Sequence, residues 1–251
     1  MKNYLKGFLM AMGMFTSIPV RYHNWDDDGA KHMLIFYPLV GFIIGVLWFL
    51  LFKVLTIFNL PVIIITAILM LFPYFITGFL HLDGFMDLCD AMLSRRNKEE
   101  KLRILKDSHT GAFAVISLAC LFVLNYSGVS TLINKNELML SLIFIPTISR
   151  SFMAIMMFFN ESMEQSSLVK YFKQNVGKVD KVLSIMFLCI ILCVFVILFG
   201  IFGLIVSLIV LFIVFYMMKK PIKELGGISG DIAGYGLVIC ETLLILALAI
   251  I

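Results

Sequence analysis

Apolar runs of about 20 residues recur along this sequence and constrain its fold more than any other feature. A bilayer core requires roughly 20 apolar residues per helix. Of the 251 residues, 61% are hydrophobic and only 14% are charged, whereas soluble domains carry about a quarter charged residues. The sequence therefore predicts one all-α domain over 1–251, a polytopic integral membrane helix bundle. Its seven predicted transmembrane helices are 32–52, 61–80, 112–133, 138–159, 182–200, 201–218 and 233–251.

The first twenty residues form a different pattern, in which apolar side chains recur at helical spacing after early lysines. These apolar side chains are Leu5, Phe8, Leu9, Met12 and Phe15, and Pro19 follows them. We expect an N-terminal amphipathic helix in the membrane interface. The alternative, a cleaved signal peptide, would require a small-residue cleavage site, which does not follow the apolar part.

Basic residues are distributed unevenly between the two sides of the predicted bundle. With the N-terminus in the cytoplasm, most of the 20 lysines and arginines fall in cytoplasmic segments, as the positive-inside rule requires. The net charge of +4 is explained in this way, so no nucleic-acid partner is expected. The five cysteines form no C-x-x-C pair, and we predict neither disulfides nor a zinc site. A polar functional site would lie on the cytoplasmic face.

The densest polar motif, HLDGFMDLCD, follows the second predicted span. Asp83, Asp87 and Asp90 in this motif have i, i+4, i+7 spacing, which places them on one face of a helix continuing out of the membrane. Three like charges in a row repel one another, and Mg²⁺, which prefers carboxylate oxygens, would compensate them. The alternative is a solvated helix face with salt bridges to Arg95 or Arg96.

A second polar segment, LRILKDSHTGAF, precedes the third predicted span. Asp107 adds a fourth carboxylate, and Arg103 and Lys106 supply positive charge for phosphate oxygens. Gly111 would let the backbone approach a ligand closely. A simple cap and turn is the alternative for this segment, but it shares a loop with the aspartates. We therefore predict a cytoplasmic active-site loop over about 81–111.

Motifs from one end of the chain to the other resemble a known family. In order they read FTSIPV, FYPLVGFIIG, HLDGFMDLCDA with LKDSHTGAF behind it, and LGGISGDIAG. Together they resemble the cobalamin synthase family, the adenosylcobinamide-GDP ribazoletransferases. The sequence departs from that family at Ser17, where arginine is frequent, and at Val238, where a glutamate commonly lies three residues before Glu241. The loop 166–171 also lacks the arginine expected there.

The resemblance implies a magnesium-dependent membrane enzyme of a bacterium or archaeon. Its substrates would be adenosylcobinamide-GDP and α-ribazole or its 5′-phosphate. Its products would be adenosylcobalamin or the 5′-phosphate, and GMP. Besides these substrates and the lipid bilayer, the partners left open are a second copy of the chain and other cobalamin-assembly enzymes.

The expected site residues fall into three groups. One or two Mg²⁺ ions would bind the row of aspartates, Asp83, Asp87 and Asp90. The candidate general bases are His81 and Asp107, with Asp87 as an alternative. The expected substrate-binding residues are Gly84, Arg103, Lys106, Ser108, Gly111, Arg150, Asp231 and Glu241.

Arg150 lies inside the fourth predicted span, where a charge costs a few kcal/mol unless it faces a cavity or a partner. Glu241 in the last span is the plainest partner. A structural ion pair between helices and the wall of a substrate cavity are both consistent with this pair of residues.

Two other functions fit parts of the pattern. A phosphotransferase of the CDP-alcohol type also aligns aspartates and glycine at a cytoplasmic helix end, but its motif requires Ala-Arg where this chain has Asp87 and Leu88. A membrane transporter would place ionisable groups near the middle of the membrane, where this sequence has only Arg150 and Glu241.

Overall fold

The computed structural model describes residues 2–20, 26–173 and 176–250 of the chain. These residues form helices with no extended strand, and the all-α class is confirmed. The α-helices are α1 (Lys2–Phe15), α2 (Asp27–Ala30), α3 (Tyr37–Ile57), α4 (Val62–Ile76), α5 (Leu80–Leu93), α6 (Lys98–Ile104), α7 (Ala112–Ile133), α8 (Ile145–Phe159), α9 (Ser167–Lys173), α10 (Lys178–Leu225) and α11 (Gly230–Ile250). Two 3₁₀ helices, Met33–Phe36 and Asn136–Ile143, lead into α3 and α8.

Five of the described helices are long and apolar enough to cross a membrane, and α4 with α5 makes a sixth if this bent pair counts as one span. The five are Met33–Ile57, Ala112–Ile133, Asn136–Phe159, Lys178–Leu225 and Gly230–Ile250. The polytopic character is therefore confirmed, whereas the predicted number of seven is not.

The longest helical segment, α10, reverses direction at Gly200. Its 48 residues would span about 70 Å as one straight helix. Yet Nζ of Lys181 near its start lies 5.2 Å from the ring centroid of Phe159, while Ile228, just beyond its end, donates a 2.8 Å backbone hydrogen bond to Glu161. Gly200 has φ +70° and ψ −176°, a conformation that favours glycine. Gly200 is also the boundary between the predicted spans 182–200 and 201–218, so the turn separates these two spans.

The N-terminal helix α1 has a buried side and an exposed side. Met10, Ala11 and Phe15 are buried against the rest of the protein, whereas Tyr4 and Leu5 are exposed. The predicted helix is present, and its place in the membrane interface stays a prediction.

Buried polar side chains join the apolar helices to one another. The indole N–H of Trp48 in α3 donates to the carbonyl of Leu69 in α4 at 2.8 Å. The Asn125 amide of α7 donates to the Tyr74 hydroxyl at 3.1 Å and to the Thr242 hydroxyl at 2.9 Å. Because an unpaired polar group is costly in an apolar interior, these contacts fix the positions of α3, α4, α7 and α11.

The sequence pattern predicts that the helix with the acidic motif continues directly out of the preceding span. This prediction is wrong, because the chain bends between α4 and α5. The axes of α4 and α5 differ by 90°. Gly78 and Phe79 between them have φ values of +58° and +62°. This pair of left-handed residues ends α4 and starts α5 in a new direction. The bend lays the acidic helix across the bundle, against α11 and α7.

Candidate active site

The acidic helix α5 packs closely on the first turns of α11. A Cβ atom added to Gly84 would lie 2.8 Å from Cα of Asp231, and one added to Gly234 would lie 3.0 Å from the carbonyl oxygen of His81. A side chain at position 84 would therefore collide with backbone, and one at position 234 would require the neighbouring backbone to shift by a few tenths of an ångström. The contact brings Asp231 beside the row of aspartates on α5.

Substitution Gly84→Ala is expected to destabilise the protein by about 1–3 kcal/mol, because the methyl group meets backbone rather than a flexible side chain. Thermal unfolding in detergent would measure this. Gly13→Ala is the control, since a Cβ there meets nothing within 4 Å. Equal melting temperatures for the two variants would contradict the close contact of α5 with α11.

Four carboxylates share this end of the bundle. Asp83 is exposed, and Asp87 and Asp90 are half-buried on the same helix. The charges of Asp83, Asp90 and Asp231 all act on Asp87. Asp231 thus joins the three aspartates from a helix far along the sequence. A cation would relieve the repulsion among these groups.

The donor set suits Mg²⁺, which takes oxygen ligands and is usually bound by one or two carboxylates together with waters and substrate phosphates. Among the residues that the structure describes, no three His, Cys, Asp or Glu side chains converge as a metal-ion site. Asp83 and Asp87 are four residues apart on α5, a spacing that separates Cβ atoms by about 5–6 Å. An ion held by one or two such carboxylates would complete its coordination shell with phosphate oxygens and waters. The role of Asp83, Asp87 and Asp90 as metal ligands stays a prediction.

The second polar segment contacts the acidic helix through Gly111. A Cβ added to Gly111 would lie 2.1 Å from Oδ2 of Asp90, so the backbone before α7 lies directly against this carboxylate. Arg103 and Ser108 are exposed in the same segment. The two polar motifs therefore lie in one region of the structure, as expected from the sequence.

Asp107 interacts with His109 in the exposed part of this segment. Its Oδ1 lies 2.6 Å from Nδ1 of His109 and accepts a 3.1 Å hydrogen bond from the backbone N–H of that residue. These hydrogen bonds lower the pKa of Asp107, and the partner carboxylate raises the pKa of His109. A lower pKa makes Asp107 a weaker general base, and its catalytic role stays a prediction.

His81 lies on the buried side of α5. Its Nε2 is 2.6 Å from the hydroxyl of Tyr37, and its Nδ1 is buried without a hydrogen-bond partner among the described residues. The ring also stacks near Phe15, with 6.4 Å between the centroids. The structure thus places His81 in the helix packing rather than on the acidic face, and its predicted role as a base stays untested.

The intramembrane charge Arg150 pairs with the partner that the sequence suggests. Nη1 of Arg150 lies 2.7 Å from Oε1 of Glu241, and the Ser149 hydroxyl donates to the same oxygen at 2.9 Å. The Arg150 side chain is only 1% exposed. Such burial favours the interpretation as a structural ion pair, while contact of either residue with substrate stays a prediction.

A cavity of about 270 Å³ opens beside Asp231. Lys106, Ser229 and Gly230 contribute to its wall, as do residues of the segment 163–168. Sequence reasoning missed this last segment, although the polar run ESMEQSS directly after the fourth predicted span is a recognisable signal. Its proximity to Asp231 depends on the fold.

The fold and the site define an all-α polytopic membrane protein with an acidic centre shared by two helices. The sequence model of one family, described as cobalamin-5-phosphate synthase, matches residues 7–249. The chain belongs to this family, and the enzyme class expected from the sequence motifs is confirmed.

Relatives named adenosylcobinamide-GDP ribazoletransferase match the chain along nearly its whole length. A protein of Clostridium perfringens (strain SM101 / Type A) is 47% identical over all of both chains. One of Clostridium botulinum (strain Alaska E43 / Type E3) is 45% identical over 96% of each chain. One of Alkaliphilus oremlandii is 32% identical over 97% of this chain and 96% of its own. No solved structure matches the chain.

Proposed function

We propose that the chain is a magnesium-dependent adenosylcobinamide-GDP ribazoletransferase. It would join adenosylcobinamide-GDP to α-ribazole or its 5′-phosphate and release GMP. Relatives with this name match 96% to 100% of the chain. The observation that carries the proposal is the gathering of Asp83, Asp87, Asp90 and Asp231 at one end of the bundle, because a phosphoryl transfer of this kind depends on a bound cation.

The reaction is a displacement at phosphorus. A free ribose hydroxyl of the acceptor forms a bond to the phosphorus atom attached to cobinamide, and the bond from that atom to the bridging oxygen of GMP breaks. Because the 5′-phosphate is also an acceptor and its 5′-oxygen is already phosphorylated, the attacking oxygen belongs to one of the secondary hydroxyls. The hydroxyl proton passes to a base. Such a step depends on positioning and on neutralisation of the phosphoryl charge rather than on covalent catalysis.

The residues of this chain would divide these tasks. Asp83, Asp87 and Asp90 would hold Mg²⁺, which supplies the charge neutralisation when bound. Asp231, which lies against Gly84, would orient the ion or a substrate hydroxyl. Lys106 would contact phosphate oxygens from the wall of the neighbouring cavity.

The general base is proposed among the expected candidates. Asp107 is exposed, which suits contact with a substrate. Its hydrogen bonds to His109 make it a weaker base. His81 would act as the base only after its contact with the Tyr37 hydroxyl is broken. Asp87 is half-buried and lies among like charges, and both the burial and the neighbouring charges favour uptake of a proton.

The orientation in the cell membrane is part of the same proposal. The N-terminus and the loop 81–111 would face the cytoplasm, because most basic residues then lie on that side. Both substrates carry charged or polar groups and would reach the acidic centre from the cytoplasm. The single domain over 1–251 would therefore act on soluble substrates at the membrane surface.

GMP release by the purified protein in detergent tests the proposal. We expect release from adenosylcobinamide-GDP and α-ribazole with Mg²⁺ and none after chelation by EDTA, with recovery when Mg²⁺ is restored. Release that is insensitive to EDTA would contradict the metal role. Uptake of either compound into vesicles without GMP release would favour the transporter.

A further inference from the structure

The cavity beside Asp231 has walls from three parts of the chain that the backbone holds together. They are the end of α6 with the residues behind it, the segment 163–168, and the start of α11. The N–H of Met163 donates to the carbonyl of Ile228 at 2.9 Å, and the N–H of Ile228 donates to Glu161 at 2.8 Å. These two hydrogen bonds fix the segment 163–168 against the residues that start α11.

The walls combine apolar and polar side chains. The apolar residues are Leu102, Leu105, Met163 and Leu168, and the polar ones are Lys106, Gln165, Ser166, Ser167, Ser229 and Asp231. Apolar side chains can cover the faces of a flat ring, while hydroxyl, amide and ammonium groups can bind hydroxyls and phosphate. This combination suits a nucleoside better than a lipid tail or an inorganic anion.

The volume of the cavity limits which part of the proposed substrates can fit inside it. About 270 Å³ lies just below the range of typical small-ligand pockets, roughly 300–1,000 Å³. A corrinoid macrocycle with its amide side chains is several times larger than this space. A single nucleoside matches it.

The location of the cavity agrees with such a ligand. Asp231 belongs both to its wall and to the carboxylate group around Asp87. A nucleoside bound here would therefore hold its ribose close to the acidic centre, where the reacting phosphorus must lie.

We propose that this cavity binds a ribonucleoside with a flat bicyclic base, an inference that rests on the proposed function. Two groups in that reaction have this chemistry: the ribazole of the acceptor and the guanosine of the leaving group. Leu102, Leu105 and Leu168 would contact the base, and Ser166 and Gln165 would bind the ribose.

The test uses Ser166→Trp in the full-length protein, because the indole would fill the cavity. Binding of α-ribazole and of GMP is measured separately by equilibrium dialysis in detergent with Mg²⁺. We expect the dissociation constant of one of the two to rise at least about tenfold and that of the other to stay within about twofold. The affected compound identifies the occupant.

Glu164→Trp is the matched control, because Glu164 is exposed two residues away and is not part of the wall. It is expected to bind both compounds like the wild-type protein. If Ser166→Trp does not fold, as judged by circular dichroism and gel filtration, Lys106→Met replaces it and is tested with GMP and with α-ribazole 5′-phosphate. The affinity for one of these two compounds is then expected to fall about tenfold and that for the other to stay within about twofold.

The outcomes separate the two proposals. Unchanged binding of both compounds by a folded Ser166→Trp protein overturns the cavity assignment, even if GMP release proceeds with Mg²⁺. Selective loss of one compound supports the assignment, even if the purified protein releases no GMP, a result that would reject only the proposed reaction.

Discussion

Substitution Asp83→Asn is expected to lower the rate of magnesium-dependent GMP release by roughly 10²–10³-fold. Asparagine keeps the size of the side chain but removes the charge that would bind the cation. Asp83 is exposed on α5, so the fold should tolerate the change. The measurement is kcat as a function of Mg²⁺ concentration, with insertion of the variant into membranes checked by fractionation.

The control is Glu99→Gln, which removes one negative charge from an exposed position in α6 and should leave kcat within about twofold. A higher Mg²⁺ requirement with a preserved maximal rate would place Asp83 in ion binding rather than in orientation. Wild-type turnover of Asp83→Asn at every Mg²⁺ concentration would show that the ion binds elsewhere.

The sequence predicts those features of the site that depend on neighbouring residues. The spacing of Asp83, Asp87 and Asp90 is sufficient to place them on one helix face, because helical periodicity is local. The pairing of Arg150 with Glu241 also follows from the sequence, since a charge in an apolar span requires a partner and few partners exist.

Other features of the site depend on the tertiary structure. Asp231 joins the acidic centre only because α5 and α11 approach at Gly84, which no local pattern indicates. The 90° bend before α5 depends on left-handed backbone at Phe79, a conformation that a phenylalanine adopts rarely. The cavity wall from 163–168 likewise requires the contact of Met163 with Ile228.

A chain of polar contacts links the intramembrane ion pair to the acidic helix. Glu241 binds Arg150, the Arg150 guanidinium carbon lies 5.7 Å from the Tyr37 ring centroid, and the Tyr37 hydroxyl contacts His81. His81 is two residues before Asp83, so this network fixes the start of α5 through α3, α8 and α11. Loss of the pair should therefore affect both stability and catalysis.

Substitution Arg150→Leu is expected to destabilise the protein by about 3–5 kcal/mol, because it leaves the Glu241 carboxylate buried without its cation. Unfolding in mixed detergent micelles with increasing SDS measures the effect. The exposed arginine Arg96, whose distance to Glu100 is 3.9 Å, provides the control. Arg96→Leu should cost no more than about 1 kcal/mol.

The double variant Arg150→Leu/Glu241→Leu separates the two interpretations of this pair. If the pair is structural, the double variant lacks a buried unpaired charge and should recover most of the stability lost in Arg150→Leu. GMP release should then recover together with the stability. Any remaining change in kcat would come from loss of the contact between Arg150 and Tyr37, which holds His81 in place. If Arg150 or Glu241 binds substrate, the double variant would be stable but its KM would stay raised. A double variant as unstable as Arg150→Leu would show that Arg150 stabilises the bundle through contacts other than Glu241.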